Sequence, residues 1–362
     1  MEKLSLWQFF LLIFIFETGS AIVVGIAGEA KQDAWIAILL ATFIGVFLIL
    51  FYFMIVKKGD YRNLFEIMEY CFGKYVGKAI IFIYITYFFY LSARVLRDFG
   101  ELMVSTIFEK TPVEFLSLTI MLLIAYILFL GIEVLGRMSE IFIPYIVMFL
   151  LFVGLGILLS GEIELSNLQP VLGDGVMPIL KTIFPSLIGF PFGELIVFTF
   201  IIPIVSNLKK AKLVAMISVF LSGILLVYTV VIQIGTLGVN IRNRSNFPML
   251  SAAREISLLN FIERIDLLIV FIVMFGIIVK ISIFFYGGLI GLEKLFHLPY
   301  RKFVVPMSLM IAYFSIVIST NFAEHIEEGL KVVPHYLHLP LQMGVPLLIL
   351  PILFMKKIRS SR

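Results

Sequence analysis

The chain has 362 residues, of which 61% are hydrophobic and only 14% charged, and its mean hydropathy is +1.09. A soluble domain cannot bury that much apolar surface, and continuous rather than alternating apolar runs exclude a β-barrel. The net charge of +4 is spread over connections and implies no nucleic acid; a lone Cys71 and four histidines without a carboxylate pattern imply no disulfide, metal site or other cofactor.

Runs long enough to cross about 30 Å of hydrocarbon fall near 6–28, 35–56, 77–107, 115–132, 139–160, 179–204, 212–237, 266–291, 303–320 and 341–355. The chain therefore reads as all-α and polytopic, one integral membrane domain (1–362) of about ten transmembrane helices. Met1 to Phe16 has the outline of a signal peptide, but Glu17 interrupts it without a small-residue cleavage pattern, so it reads as a mature first span. Between spans two and three, Tyr61 to Tyr70 has the pattern of a short amphipathic helix lying at the membrane interface. Span three carries Tyr84, Tyr87, Leu91 and Arg94 at three- and four-residue steps, with Tyr90 beside them. The connection 238–265 contains Met249-Leu250 and Ala252 to Ile256 and suits either a cover over an entrance or an ordinary connector. His325, His335 and His338 fall in the loop before a short tenth span that carries Pro346 and Pro351.

Seventeen basic residues fall on the side of the N-terminus, among them Lys57, Lys58, Lys209, Lys210 and the tail residues Lys357, Arg359 and Arg362. Nine fall on the other side, including Arg242 and Arg264. The positive-inside rule then places both termini in the cytoplasm and requires an even number of spans.

Two runs are interrupted where a helix should be regular. The first contains Glu17-Thr18-Gly19-Ser20; the sixth contains Pro185, Gly189, Phe190, Pro191, Phe192, Gly193 and Glu194. Proline removes a donor and clashes with the preceding turn, while glycine relaxes the backbone. The freed groups need partners other than lipid. Spans one and six are equivalent members of two five-span groups, about 1–160 and 179–355. That is the pattern of inverted-repeat transporters, whose discontinuous helices build a midplane site. N–H groups at such a break suit a carboxylate, and unwound carbonyls suit an ammonium.

Glu17, Arg94, Glu194 and Lys280 are ionisable residues inside spans, and each asks for a partner or a water-filled cavity. Lys280, mid-way along span eight, requires Glu17 or Glu194 as counter-ion. The pair suits a coupling-cation position as well as a structural link between spans.

The segments Thr18 to Ile22 with Glu29 to Trp35, then Phe190-Pro191-Phe192-Gly193-Glu194, then Lys280 to Tyr286, resemble the B subunit of bacterial spore germinant receptors. The resemblance covers essentially the whole chain. It implies the five-plus-five inverted repeat of the amino acid–polyamine–organocation superfamily (the LeuT type), with helices one and six broken. It also implies nutrient sensing rather than catalysis, in the spore inner membrane, with a receptor A subunit and a lipoprotein C subunit as partners. A small germinant, an amino acid being the expected class, would bind between spans one, six and three. Its carboxylate would meet N–H groups of Ser20, Ala21 and Ile22 beside Thr18 and Gly19, and its ammonium the carbonyls of Gly189 and Phe190. Phe190, Phe192, Tyr87, Tyr90 and Leu91 would line the pocket, with Pro191 and Gly193 shaping it. An amino-acid permease and a germinant-gated ion or water conduit are the alternative readings.

Overall fold

The computed structural model describes residues 3–255 and 266–356. Ile256, Arg264, Lys357, Arg359 and Arg362 lie outside them. Helix α1 (Leu6–Thr18) starts with a capping box, in which Ser5 and Gln8 exchange side-chain and backbone bonds. The chain then runs irregularly through 19–27 and makes a 3₁₀ segment, Gly28–Asp33. Next come α2 (Ala34–Lys58), α3 (Leu64–Phe72), α4 (Lys74–Thr106), α5 (Val113–Leu130) and α6 (Ile132–Ser160). The sixth crossing is built from α7 (Met177–Lys181), wide turns over Thr182–Leu187 and a 3₁₀ segment, Phe192–Phe200. After it follow α8 (Leu208–Arg244), α9 (Pro248–Arg254), α10 (Asp266–Phe296), α11 (Arg301–Val317) and α12 (Phe322–Glu327). The tenth crossing begins in wide turns at Pro334–Gly344 and ends as α13 (Val345–Met355).

Among the described residues, eight helices are long and apolar enough to cross a membrane. Counting the bent pair Arg301–Val317 and Phe322–Val332 as one span gives nine, and the 13-residue α1 is a further, shorter apolar helix that runs into the irregular stretch 19–27. The chain is an all-α polytopic membrane protein. Leu4 exchanges backbone bonds with Ile204 and Ser206, and Lys356 reaches the Tyr70 and Cys71 carbonyls. Both described ends therefore sit at the basic end of the bundle. Helix α10 runs through its middle, packed along α4 and touching α1 and α6.

Two expectations change. The apolar residues of α3, Leu64, Phe65, Ile67 and Met68, are fully buried against α4 and α13, so protein covers the face expected to meet lipid. The tenth crossing starts at Pro334 rather than 341, so His338 lies within a span and His325 in α12 rather than in one loop. Two histidines, a glutamine and two prolines lower the apolar average of 334–342, while their partners on neighbouring spans make burial tolerable.

At the basic end, Glu69 of α3 pairs with Lys294 at 2.7 Å. The hydrogen bond from Lys294 holds the Glu69 carboxyl below its ordinary value of 4.5, against a smaller opposing effect of burial. A carboxyl lowered in the folded state stabilises above its unfolded value and loses that contribution as pH falls through the folded one. Glu69→Gln should therefore melt slightly below the parent at pH 7, and the two melting curves should converge well below pH 4.5.

Candidate functional site

The first break follows from Gly19. A Cβ built there would lie 3.0 Å from the Gly276 carbonyl oxygen, so span one meets α10 glycine on glycine, one turn before Lys280. The Thr18 hydroxyl donates to the Phe14 carbonyl at 2.7 Å and closes the end of α1. Beyond it, Ile22 N–H donates to Thr18 O, while Val23 and Val24 N–H both reach Ser20 O. No regular half-helix restarts at Ser20, and the Ile22 donor is already engaged.

The second break follows from Gly189 to Gly193. Gly189 faces His338, and a Cβ at Gly193 would meet the Gln342 side chain and lie 2.5 Å from the Ile188 carbonyl oxygen. Span ten thus lies directly on the backbone of broken span six. Phe192 turns the other way, filling the space beside Gly45 of α2, where a Cβ would sit 2.8 Å from the Phe192 ring. Phe192 therefore packs spans two and six together rather than lining the pocket.

Three spans close around the breaks. Tyr87 donates to His338 Nδ1 at 2.6 Å, and Gln342 Nε2 donates to the Tyr87 oxygen at 2.8 Å. With Nδ1 accepting, the proton of the neutral imidazole sits on Nε2. Tyr84 reaches the Leu341 carbonyl, and Tyr52 of α2 lies 3.2 Å from Gly193 O and 2.9 Å from Gln342 O. Tyr87→Phe should destabilise the purified protein by about 1 kcal/mol, the lower end of the range for orphaning a buried polar group. Gln342 Nε2, 3.0 Å from His338 Nδ1, still covers that nitrogen. Thermal melting in detergent measures it.

Lys280 is completely buried, and its Nζ lies 2.6 Å from Glu194 Oε2. The ammonium also sits over the rings of Phe190 at 4.5 Å and Phe16 at 5.0 Å. Glu194 is thus the counter-ion. Glu17 is equally buried, and neither of its carboxylate oxygens has a hydrogen-bond partner among the described residues. The Ser20 and Ser282 hydroxyls are also buried without partners.

A cavity of about 50 Å³ lies at this junction. Of the predicted residues, Ser20, Leu91, Arg94, Phe190 and Glu194 line it. Thr18, Gly19, Ala21, Ile22, Tyr87, Tyr90, Gly189, Pro191 and Gly193 stand outside its lining. Sequence reasoning missed His338 and Asp98, which also line it, and Gln342 and Tyr52 behind them. The available signal was the four-residue step from His338 to Gln342, which places two polar groups on one helical side.

The outer wall comes from α12 and the wide turns that follow it. Ile326, Gly329, Leu330 and Val333 close the cavity. Arg94 Nη1 lies 3.1 Å from Glu328 Oε2 and 3.2 Å from the Tyr90 hydroxyl, and Nη2 reaches the His325 carbonyl. His325 Nε2 lies 3.0 Å from Asp98 Oδ1. A Cβ at position 329 would meet the Arg94 guanidinium, which would have to shift to admit it. Three polar contacts therefore latch this segment to α4.

The family model described as "Spore germination protein" matches residues 3–323. The chain is 37% identical to "Spore germination protein KB" of Bacillus subtilis (strain 168), over 100% of this chain and 98% of that one. It is 29% identical to "Spore germination protein A2" of the same organism, over 78% and 77% of the two chains. Among solved structures, it resembles the crystal structure of MhsT in complex with L-phenylalanine, with a TM-score of 0.59 at 13% identity, covering 99% of this chain and all of that one. At that identity the likeness concerns the fold, the LeuT type with first and sixth helices broken. A full-length match to the family and an inverted-repeat fold broken at the two places seen here lead to one conclusion: the chain belongs to the spore germination protein family.

Proposed function

We propose that this protein is the nutrient-sensing subunit of a spore germinant receptor. It binds a small ligand, most simply an amino acid, at the junction of spans one, three, six, eight and ten. The observation that carries this reading is the cavity at the two breaks, where a carboxylate (Glu194), donors (Arg94, the Ser20 hydroxyl and His338 Nε2–H) and an aromatic face (Phe190) converge. The donors suit a carboxylate and Glu194 suits an ammonium. The two repeats would span about 1–160 and 179–355, with both termini in the cytoplasm and the protein in the spore inner membrane beside its A subunit and lipoprotein C subunit. MhsT, similar in fold, is described in complex with L-phenylalanine.

The cavity of about 50 Å³ holds a few waters but is well below the roughly 300 Å³ of ordinary ligand pockets. Binding therefore has to widen it, by moving Phe190 or the helical segment 326–333. A ligand that fits only the widened state shifts the population toward it, and that shift is what partner subunits would read.

Gly189→Val tests the site. Its side chain would enter space already within 3.0 Å of the His338 ring. In spores lacking other nutrient receptors, the half-maximal nutrient concentration should rise at least about tenfold, the equivalent of a 1.4 kcal/mol overpacking cost. An unchanged dose curve, with normal accumulation of the protein, would show that the nutrient binds elsewhere. The transporter fold keeps permease activity as the second reading. Uptake of labelled amino acid by proteoliposomes of this chain alone would establish it, and binding without uptake would exclude it.

A further inference from the structure

Another cavity lies far from this site, at the basic end of the bundle. It is an open cleft of about 1170 Å³ between α2, the start of α8 and the end of α13. Five lysines line it, Lys57, Lys58, Lys209, Lys212 and Lys356, against a single acid, Asp60. Lys57, Lys58, Lys209 and Lys212 are exposed and make no ion pair among the described residues, in contrast to Lys294 and Lys31 elsewhere on the surface. Below the lysines the wall is apolar, formed by Phe47, Leu50, Phe51, Met54 and Phe354. Phe47 and Phe354 are more than half exposed.

The dimensions identify the occupant. Phe47 lies ten residues before Lys57 on α2, which is about 15 Å along a helix. That is half of the roughly 30 Å hydrocarbon core, the depth of one leaflet. An excess of lysine alone would follow from the positive-inside rule. A cleft that gathers exposed lysines without ion pairs from both α2 and α8 and continues downward as an apolar wall of leaflet depth does not.

We propose that this cleft binds an anionic phospholipid, with its phosphate among the lysines and its acyl chains along Phe47, Phe51, Met54 and Phe354. Basic clefts between transmembrane helices at the cytoplasmic end suit phosphate headgroups in this way. The site bears on the ligand cavity through α2, whose inward-facing Tyr52 bonds the backbone of both Gly193 and Gln342. A lipid that braces the outer side of α2 against α13 braces the packing of spans two, six and ten.

Native mass spectrometry of the full chain in detergent tests it, with tetraoleoyl cardiolipin, dioleoylphosphatidylglycerol, dihexanoylphosphatidylglycerol, dioleoylphosphatidylcholine and inorganic phosphate as probes. Cardiolipin and dioleoylphosphatidylglycerol should stay bound and raise the melting temperature; phosphatidylcholine should not. The triple variant Lys58→Gln, Lys209→Gln, Lys212→Gln should weaken retention on the order of a hundredfold, taking each lysine near the surface at its usual strength. A control variant at the same end, Lys74→Gln, Lys78→Gln, Lys302→Gln, should retain lipid as the parent does. Equal losses in the two variants would reduce the effect to general surface charge and overturn the site. So would equal retention of phosphatidylcholine. Displacement of lipid by inorganic phosphate, or equal binding of the dihexanoyl analogue, would make this a phosphate site without a lipid tail and overturn the proposal.

Discussion

Lys280→Met should destabilise the protein by about 3–5 kcal/mol, because it strips the ammonium from the buried carboxylate of Glu194. Glu194 would lose the ammonium 2.6 Å away, with Glu17 equally buried nearby in the same electrostatic cluster. Glu194→Gln should cost less, since the amide oxygen keeps an acceptor beside the Lys280 ammonium. Lys280→Met combined with Glu194→Leu should recover most of the loss, as replacing both partners of a buried pair by apolar groups often does. Melting of the purified variants gives the order. The germination response then separates a structural pair from a functional one. Because Glu194 lines the cavity, the double variant should accumulate yet fail to respond to nutrient. A normal response from it would reduce the pair to a brace between spans.

The second large effect is expected at the contact of the first break with α10. A Cβ on Gly276 would lie 2.5 Å from the Gly19 Cα, and its neighbours are backbone atoms that cannot rotate away. Overpacking a core costs about 1–3 kcal/mol and occasionally more. Gly276→Val should exceed about 3 kcal/mol, since span one cannot retreat without losing its contacts with α8 and α10. Gly344→Ala is the comparison. It has a helical φ of −58°, and the nearest atom to its Cβ would be 3.7 Å away. That substitution should be neutral or slightly stabilising. Similar losses at the two positions would contradict the close approach of Gly19 and Gly276.

The interruptions at Glu17 to Ser20 and Pro185 to Glu194 were legible because proline, glycine and buried acid violate the local rules of an apolar helix. Such violations mark the strained places of a fold. The need of Lys280 for a carboxylate was legible for the same reason. Its choice of Glu194 over Glu17 was not. Both acids stand next to a break, and only the packing of span six against α10 decides which oxygen lies beside the ammonium. Tyr84 and Tyr87 could be placed on one face of α4, but their acceptors lie more than 250 residues away, at Leu341 and His338. Spacing along the chain says nothing about such a separation.

The sequence by itself determined a membrane protein of ten crossings, the two places where its helices break, and the family resemblance that the full-length match bears out. Each of these rests on local averages or local rules: apolar length, backbone restriction, charge in hydrocarbon. Tertiary structure alone decided that the tenth crossing begins at Pro334 and brings His338 and Gln342 to the site. It also decided that Phe192 fills the notch at Gly45, and that five lysines distant in sequence enclose one cleft. Those outcomes depend on which side of each helix meets which neighbour. In a chain with apolar residues on every side of its helices, no hydrophobic stripe is left to announce that side.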